Sequence, residues 1–156
     1  MTDLARRSLA RARAALGVTE HPPGSNRGPE VDGYLRDVGL DASKGAYPWC
    51  AAFVSAMVMR TADDHNLPHQ FHGSASVRKL LELNKMLEIP GPEPGCIFIH
   101  LGEDGHGHAG FVESLAAGGA LETIEGNSDA HGSRTGGSVV TGFRRAGYAQ
   151  HFLVIC

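Results

Sequence analysis

Cysteine is scarce. The 156 residues hold three, Cys50, Cys96 and Cys156. An odd, widely spaced set is not the disulfide framework of a small secreted scaffold, so synthesis in a reducing cytosol is the simpler expectation. Excess positive charge is missing too: 14 Lys and Arg against 17 Asp and Glu leave a net charge of −3. That disfavours a nucleic-acid partner, because neutralising phosphates takes a basic surface. No apolar run is long enough to cross a bilayer, so no stable membrane insertion is expected. The basic N-terminus, with Arg6, Arg7, Arg11 and Arg13, has no apolar segment behind it and does not read as a secretory signal. Internal repeats, low-complexity tracts and linkers are absent. Residues 1–156 are therefore expected to form one domain with its own core.

What is present falls into two halves. Apolar residues recur at helical spacing over Leu4–Leu16, Val31–Val38, Trp49–Ala62 and Val77–Met86, and each segment is predicted to be a helix. The third is the strongest, with Phe53, Val54, Met57 and Val58 on one side. In the first, the arginines are expected to face solvent, and Gly17 to end the helix. Glycine, 21 residues in all, gathers from Gly91 onward, which favours strands joined by tight turns. Strands are predicted over Cys96–Leu101, His108–Leu115, Ala120–Glu125, Val139–Arg145 and His151–Cys156. Helices followed by a run of strands imply an α+β domain, with N-terminal helices packed on a C-terminal antiparallel β-sheet.

One helix start has chemical potential. In Ala46-Tyr-Pro-Trp-Cys-Ala-Ala-Phe-Val, Pro48 suits the first helical position and places Cys50 in the first turn. The helix dipole there favours the thiolate, the reactive form of cysteine, and free backbone N–H groups can hold an oxyanion. A free cysteine also serves as a small buried apolar residue, and location alone does not separate the two roles. A nucleophile needs a base. Among nine histidines, His108 opens a predicted strand, where it is rigid yet faces a cleft; His106 lies in the preceding loop and His100 within or at the end of a strand. The following strand ends in Glu125-Gly-Asn127. Residues two apart on a strand share a face, so Glu125 and Asn127 can both point at one imidazole and fix its tautomer. Gly-Asn-Ser-Asp is equally ordinary turn chemistry.

Taken together these segments resemble the CHAP family, the cysteine- and histidine-dependent amidohydrolases and peptidases. The resemblance is carried by Gly24-Ser-Asn-Arg-Gly, Trp49-Cys-Ala-Ala-Phe-Val, His108-Ala-Gly-Phe-Val and Ile124-Glu-Gly-Asn, in the family's order, from about Glu20 to the C-terminus. It implies a papain-like fold. It implies Cys50 as nucleophile, His108 as general base and then acid, Glu125 orienting His108, and Asn127 near the oxyanion. A second oxyanion donor would be Asn127 or a residue of the Ser25-Asn26 loop. Substrate-binding positions are expected at Ser25, Asn26, Tyr47 and Trp49. The implied substrate is peptidoglycan, cut either between N-acetylmuramic acid and L-alanine or within the stem or cross-bridge. The protein would be a phage lysin or a secreted antibacterial effector, made in the cytoplasm and acting in the periplasm or wall of a target bacterium. An effector would have a cognate immunity protein.

Some relatives carry a calcium loop dense in Asp. Glu30, Asp32, Asp37 and Asp41 are too scattered to resemble it, so neither metal nor cofactor is expected. The chain has no room for a separate wall-binding module, so the cleft itself must recognise substrate, and a monomer suffices. Three other readings compete. The histidine groups His65, His69, His72 and His100, His106, His108 suggest a metal protein, although neither has a recognised ligand spacing. A wall-binding module without catalysis and an acyl transferase would use the same scaffold.

Overall fold

The computed structural model describes residues 1–129 and 131–156. Four α-helices come first: α1 (Asp3–Ala14), α2 (Pro29–Asp37), α3 (Cys50–His65) and α4 (Val77–Leu83). Six strands follow: β1 (Glu88–Ile89), β2 (Ile97–Leu101), β3 (Gly107–Leu115), β4 (Leu121–Ser128), β5 (Ser138–Arg144) and β6 (His151–Leu153). They form one antiparallel sheet in the order β1-β6-β2-β3-β4-β5. This is the α+β, papain-like arrangement expected, with the helical half preceding the sheet.

The central element is α3. Every residue from Cys50 to Val58 is buried, because the helix lies between α1 and α2 on one side and β3 and β4 on the other. Phe53, wholly buried, meets Tyr34 and Phe111 edge-on at 5.6 and 6.3 Å between ring centroids. Such a side chain contributes up to about 3 kcal/mol through burial alone. Asn66 ends α3 in the left-handed conformation, with φ of 50°. Gly126 on β4 makes the close packing possible: a Cβ there would lie 2.7 Å from Phe53.

The sheet separates two apolar clusters. Ile97, Ile99, Ala109, Phe111 and Ile124 belong to the helix-side core, whereas Cys96, Phe98, Val112 and Leu121 pack with Tyr148 and Phe152 in a second cluster. The alternation follows from the two-residue period of a strand, and it places Gly110, opposite Phe98, on the second face.

Several boundaries differ from the sequence expectation. Pro48 is not the first helical residue: Trp49 is the N-cap and Cys50 itself begins α3. The fourth helix stops at Leu83 because Asn84, fully buried, donates to the carbonyls of His72 and Leu80, both at 2.8 Å, and accepts from the His72 N–H. The last strand ends at Leu153, and the two-residue β1 pairs with it. In α1 the arginines do lie at the surface, where they also form ion pairs, Arg7 with Asp3, Arg11 with Asp64 and Arg13 with Glu113.

Candidate active site

As the first residue of α3, Cys50 carries its sulfur at the positive end of the helix dipole. The Sγ meets the His108 ring and the backbone N–H groups of Ala51 and Ala109. The side chain is 3% exposed, so a thiolate there depends on these protein groups rather than on water.

His108 enters from β3. Its Nε2 bonds the Glu125 carboxylate at 2.7 Å, which leaves Nδ1 on the side of the sulfur; Nδ1 itself has no hydrogen-bond partner among the described residues. Glu125 sits opposite Gly110 and Val140 in the sheet. Two glycines make room for it: a Cβ at Gly110 would come within 2.9 Å of Glu125 Cγ, and one at Gly142 within 2.7 Å of Oε1. The carboxylate accepts four bonds. Thr123 Oγ1 donates to Oε1 at 2.6 Å and Arg144 Nε to the same oxygen at 2.7 Å, while His108 Nε2 and Arg144 Nη2 both reach Oε2.

These contacts decide the charges. Burial opposes the Cys50 thiolate, but the His108 hydrogen bond and charge, with the two backbone N–H groups, outweigh it and lower the thiol. Burial likewise opposes the His108 imidazolium. Its bonds to Cys50 and Glu125 prevail and raise it to about 9. Glu125, despite burial, is held down to about 2 by His108 and then Arg144. These directions favour a thiolate–imidazolium pair backed by an ionised carboxylate. Cys96, by contrast, is pushed up to about 11 by burial and stays a thiol.

Cys50 opens onto a cleft of about 620 Å³. Tyr47 and Pro48, the loop Gly73–Ser76 with Val77 and Lys79, and Gly105–Gly107 line it, with Val38, Leu40 and Leu83. No group of three His, Cys, Asp or Glu side chains among the described residues is placed to hold a metal ion.

A model of the CHAP domain family matches residues 42–127, more than half of the chain. The chain belongs to the CHAP domain family. No curated protein and no solved structure matches it. CHAP domains are in general cysteine- and histidine-dependent amidohydrolases or peptidases, and membership implies activity of the peptidoglycan-hydrolase type. The matched span holds Cys50, His108, Glu125 and Asn127; it is narrower than the resemblance read from the sequence and leaves Ser25, Asn26 and Arg144 outside.

The structure brings Cys50 beside His108 and bonds His108 to Glu125, places Tyr47 in the same cleft as Cys50, and sets the other expected residues elsewhere. Trp49 does not line the cleft of this CHAP domain. It is fully buried, its Nε1 donates to Glu20 Oε1 at 2.9 Å, and its ring lies against Tyr34; its place is in the core that seats the start of α3. Ser25 opens onto a separate hollow with Arg27 and Ala42–Ala46, where its Oγ accepts from the Arg27 N–H, and Asn26 lines neither hollow. Asn127 is also completely buried, and neither atom of its amide has a partner among the described residues. Its φ of 56° and the register shift after Glu125 break the strand alternation, so Glu125 alone bonds the imidazole. Tyr47 does line the cleft. Arg144 was not anticipated from the sequence. The bare backbone of Gly142 was the available signal, since glycine inside a strand often marks a close approach.

Proposed function

We propose that this CHAP domain is a peptidoglycan hydrolase that cleaves an amide bond through a Cys50 thioester, as an N-acetylmuramoyl-L-alanine amidase or a stem or cross-bridge endopeptidase. The observation that carries the reading is Cys50 on the wall of an open cleft, with His108 beside it and Glu125 bonded to His108 behind it. The Cys50 thiolate attacks the amide carbon, and the oxyanion forms against the free N–H groups of the first turn of α3. His108 gives its proton to the leaving nitrogen, the C–N bond breaks and the thioester remains. Neutral His108 then takes a proton from water, whose oxygen attacks the thioester and releases Cys50 as thiolate. Glu125 keeps the ring in the tautomer that presents Nδ1 to the sulfur.

One chain supplies every group in this scheme, so a monomer suffices. In the same proposal it works at the wall of a target bacterium, as a phage lysin or a secreted antibacterial effector, and an immunity protein paired with an effector would cover the cleft. The deciding experiment is digestion of sacculi with the fragments identified by mass spectrometry. Glycan strands freed of intact stems identify an amidase; cut stems or cross-links identify an endopeptidase. No release from walls of several stem types would overturn the assignment.

The cleft also predicts a preference. Its described lining holds one lysine, Lys79, and no carboxylate, whereas stem peptides carry free carboxylates. Lys79→Glu should raise KM about fivefold with kcat little changed, the worth of roughly 1 kcal/mol for one charge pair in water. The effect should fade at high ionic strength. Equal kinetics for the two proteins at low salt would remove Lys79 from substrate recognition.

A further inference from the structure

We propose that Arg144 is a positioning residue for the Cys50–His108 pair: its two-pronged grip on Glu125 keeps that carboxylate ionised and aimed as the medium becomes acidic, and so sets the lowest pH at which the pair survives. The proposal rests on reading Cys50 and His108 as the reacting groups, and it concerns a residue beyond the family's matched span.

The geometry is that of a built support. Arg144 is 6% exposed. Its Nε and Nη2 take one oxygen each of Glu125, and Nη1 donates to the Gly132 carbonyl at 2.8 Å. The guanidinium lies 4.5 Å from the Tyr148 ring centroid, and that ring stacks on His100 at 4.3 Å. The arginine is thus held from two sides, by the Gly132 carbonyl and the Tyr148 ring, besides its bonds to Glu125. A fork of this kind restrains a carboxylate in angle as well as distance, which a single ammonium does not.

The sign of its effect follows from the neighbours. Glu125 is faced by His108 from β3, Thr123 from its own strand and Arg144 from β5. Tyr148, which follows β5, and Cys50 from α3 lie farther off; Asp129 acts on Arg144, and Arg134 on Tyr148. With the guanidinium removed, the one cation left on the carboxylate is His108 itself. Burial then favours protonation of Glu125 at a higher pH. Once Glu125 is neutral the imidazolium loses its anion, and the thiolate loses the imidazolium.

The pH dependence of Cys50 alkylation by iodoacetamide tests this without any substrate. Reaction is followed on the peptide that contains Cys50, so that exposed Cys156 is not counted. In Arg144→Gln the acid limb should move up by about one pH unit, a tenfold loss of rate at fixed pH within the limb. Arg144→Lys, which keeps the charge and loses the fork, should move it less and in the same direction. A support role without influence on the pair would lower the melting temperature and leave the limb where it is, and that result overturns the proposal. Should Arg144→Gln not fold, the lysine variant decides by the same criterion. A wild-type Cys50 that alkylates like an ordinary thiol would instead sink the Cys50–His108 reading itself, so the two failures are distinguishable.

Discussion

Cys50→Ala is expected to abolish release of wall fragments while leaving the fold intact. Alanine suits the first turn of α3 and loses only one buried sulfur, so melting should shift by no more than a few degrees. Catalysis has no comparable substitute. Without the nucleophile, attack falls to water with no thioester path, a loss of at least about 10⁴-fold where a nucleophile and base act as a unit. The matched control is Cys96→Ala, whose thiol stays protonated on the far side of the sheet and should leave activity unchanged. Residual turnover by Cys50→Ala above about one per cent of wild type would contradict the mechanism. The same mechanism fixes the alkaline edge. The His108 proton is needed by the leaving nitrogen, so activity should decline as pH rises through about 9. A group raised in the folded state stabilises below its unfolded value and loses that contribution on passing its folded one. Stability should therefore fall over the same window, between about 6.5 and about 9.

The sequence made local patterns legible and non-local contacts illegible. The apolar spacing of Phe53, Val54, Met57 and Val58 reported α3 because a repeat of one helical turn is a property of residues near one another in sequence. The apolar runs around Phe98 and Phe111, set between glycine-rich turns, reported β2 and β3 for the same reason. Strand β1 was invisible, since two residues have no period and Glu88–Ile89 exist as a strand only through Leu153 and Phe152. Alternation misled at Asn127, where one left-handed residue ended the rule that puts Glu125 and Asn127 on the same side. The motif around Cys50 marked Trp49 as part of the site. Its indole is buried by Tyr34 and its N–H is taken by Glu20, 29 residues earlier, a pairing that no local pattern encodes. Arg144 lies 19 residues beyond Glu125 and meets it across the β4–β5 ladder. Only the register of the folded sheet brings those two charges together.

That pairing makes Glu125→Gln the substitution with the largest combined cost. All four bonds at the Glu125 carboxylate are donated to it, from Thr123, Arg144 twice and His108. A glutamine of the same shape offers one oxygen and one NH₂, so its NH₂ must face a donor whichever way the amide turns. The charge is lost as well, and Arg144 becomes a buried cation without a counter-ion. Breaking a buried pair on one side costs about 3–5 kcal/mol; the Gly132 carbonyl and the Tyr148 ring still hold the guanidinium, which places this case near the lower figure. His108 meanwhile loses the anion that raises it, so the thiolate forms at higher pH and the ring is free to turn. A fall of about 10³–10⁴-fold in kcat/KM is expected, the scale seen when a carboxylate that orients a catalytic histidine becomes an amide. Denaturant unfolding and hydrolysis of isolated wall fragments measure the two effects separately. Adding Arg144→Gln should recover part of the stability, because the orphaned charge is gone, but none of the activity, because the imidazole still has no anion. A double variant that regained activity would mean that Arg144, rather than the missing carboxylate, had been disabling His108. A single variant within tenfold of wild type would show that the imidazole is oriented by something other than Glu125.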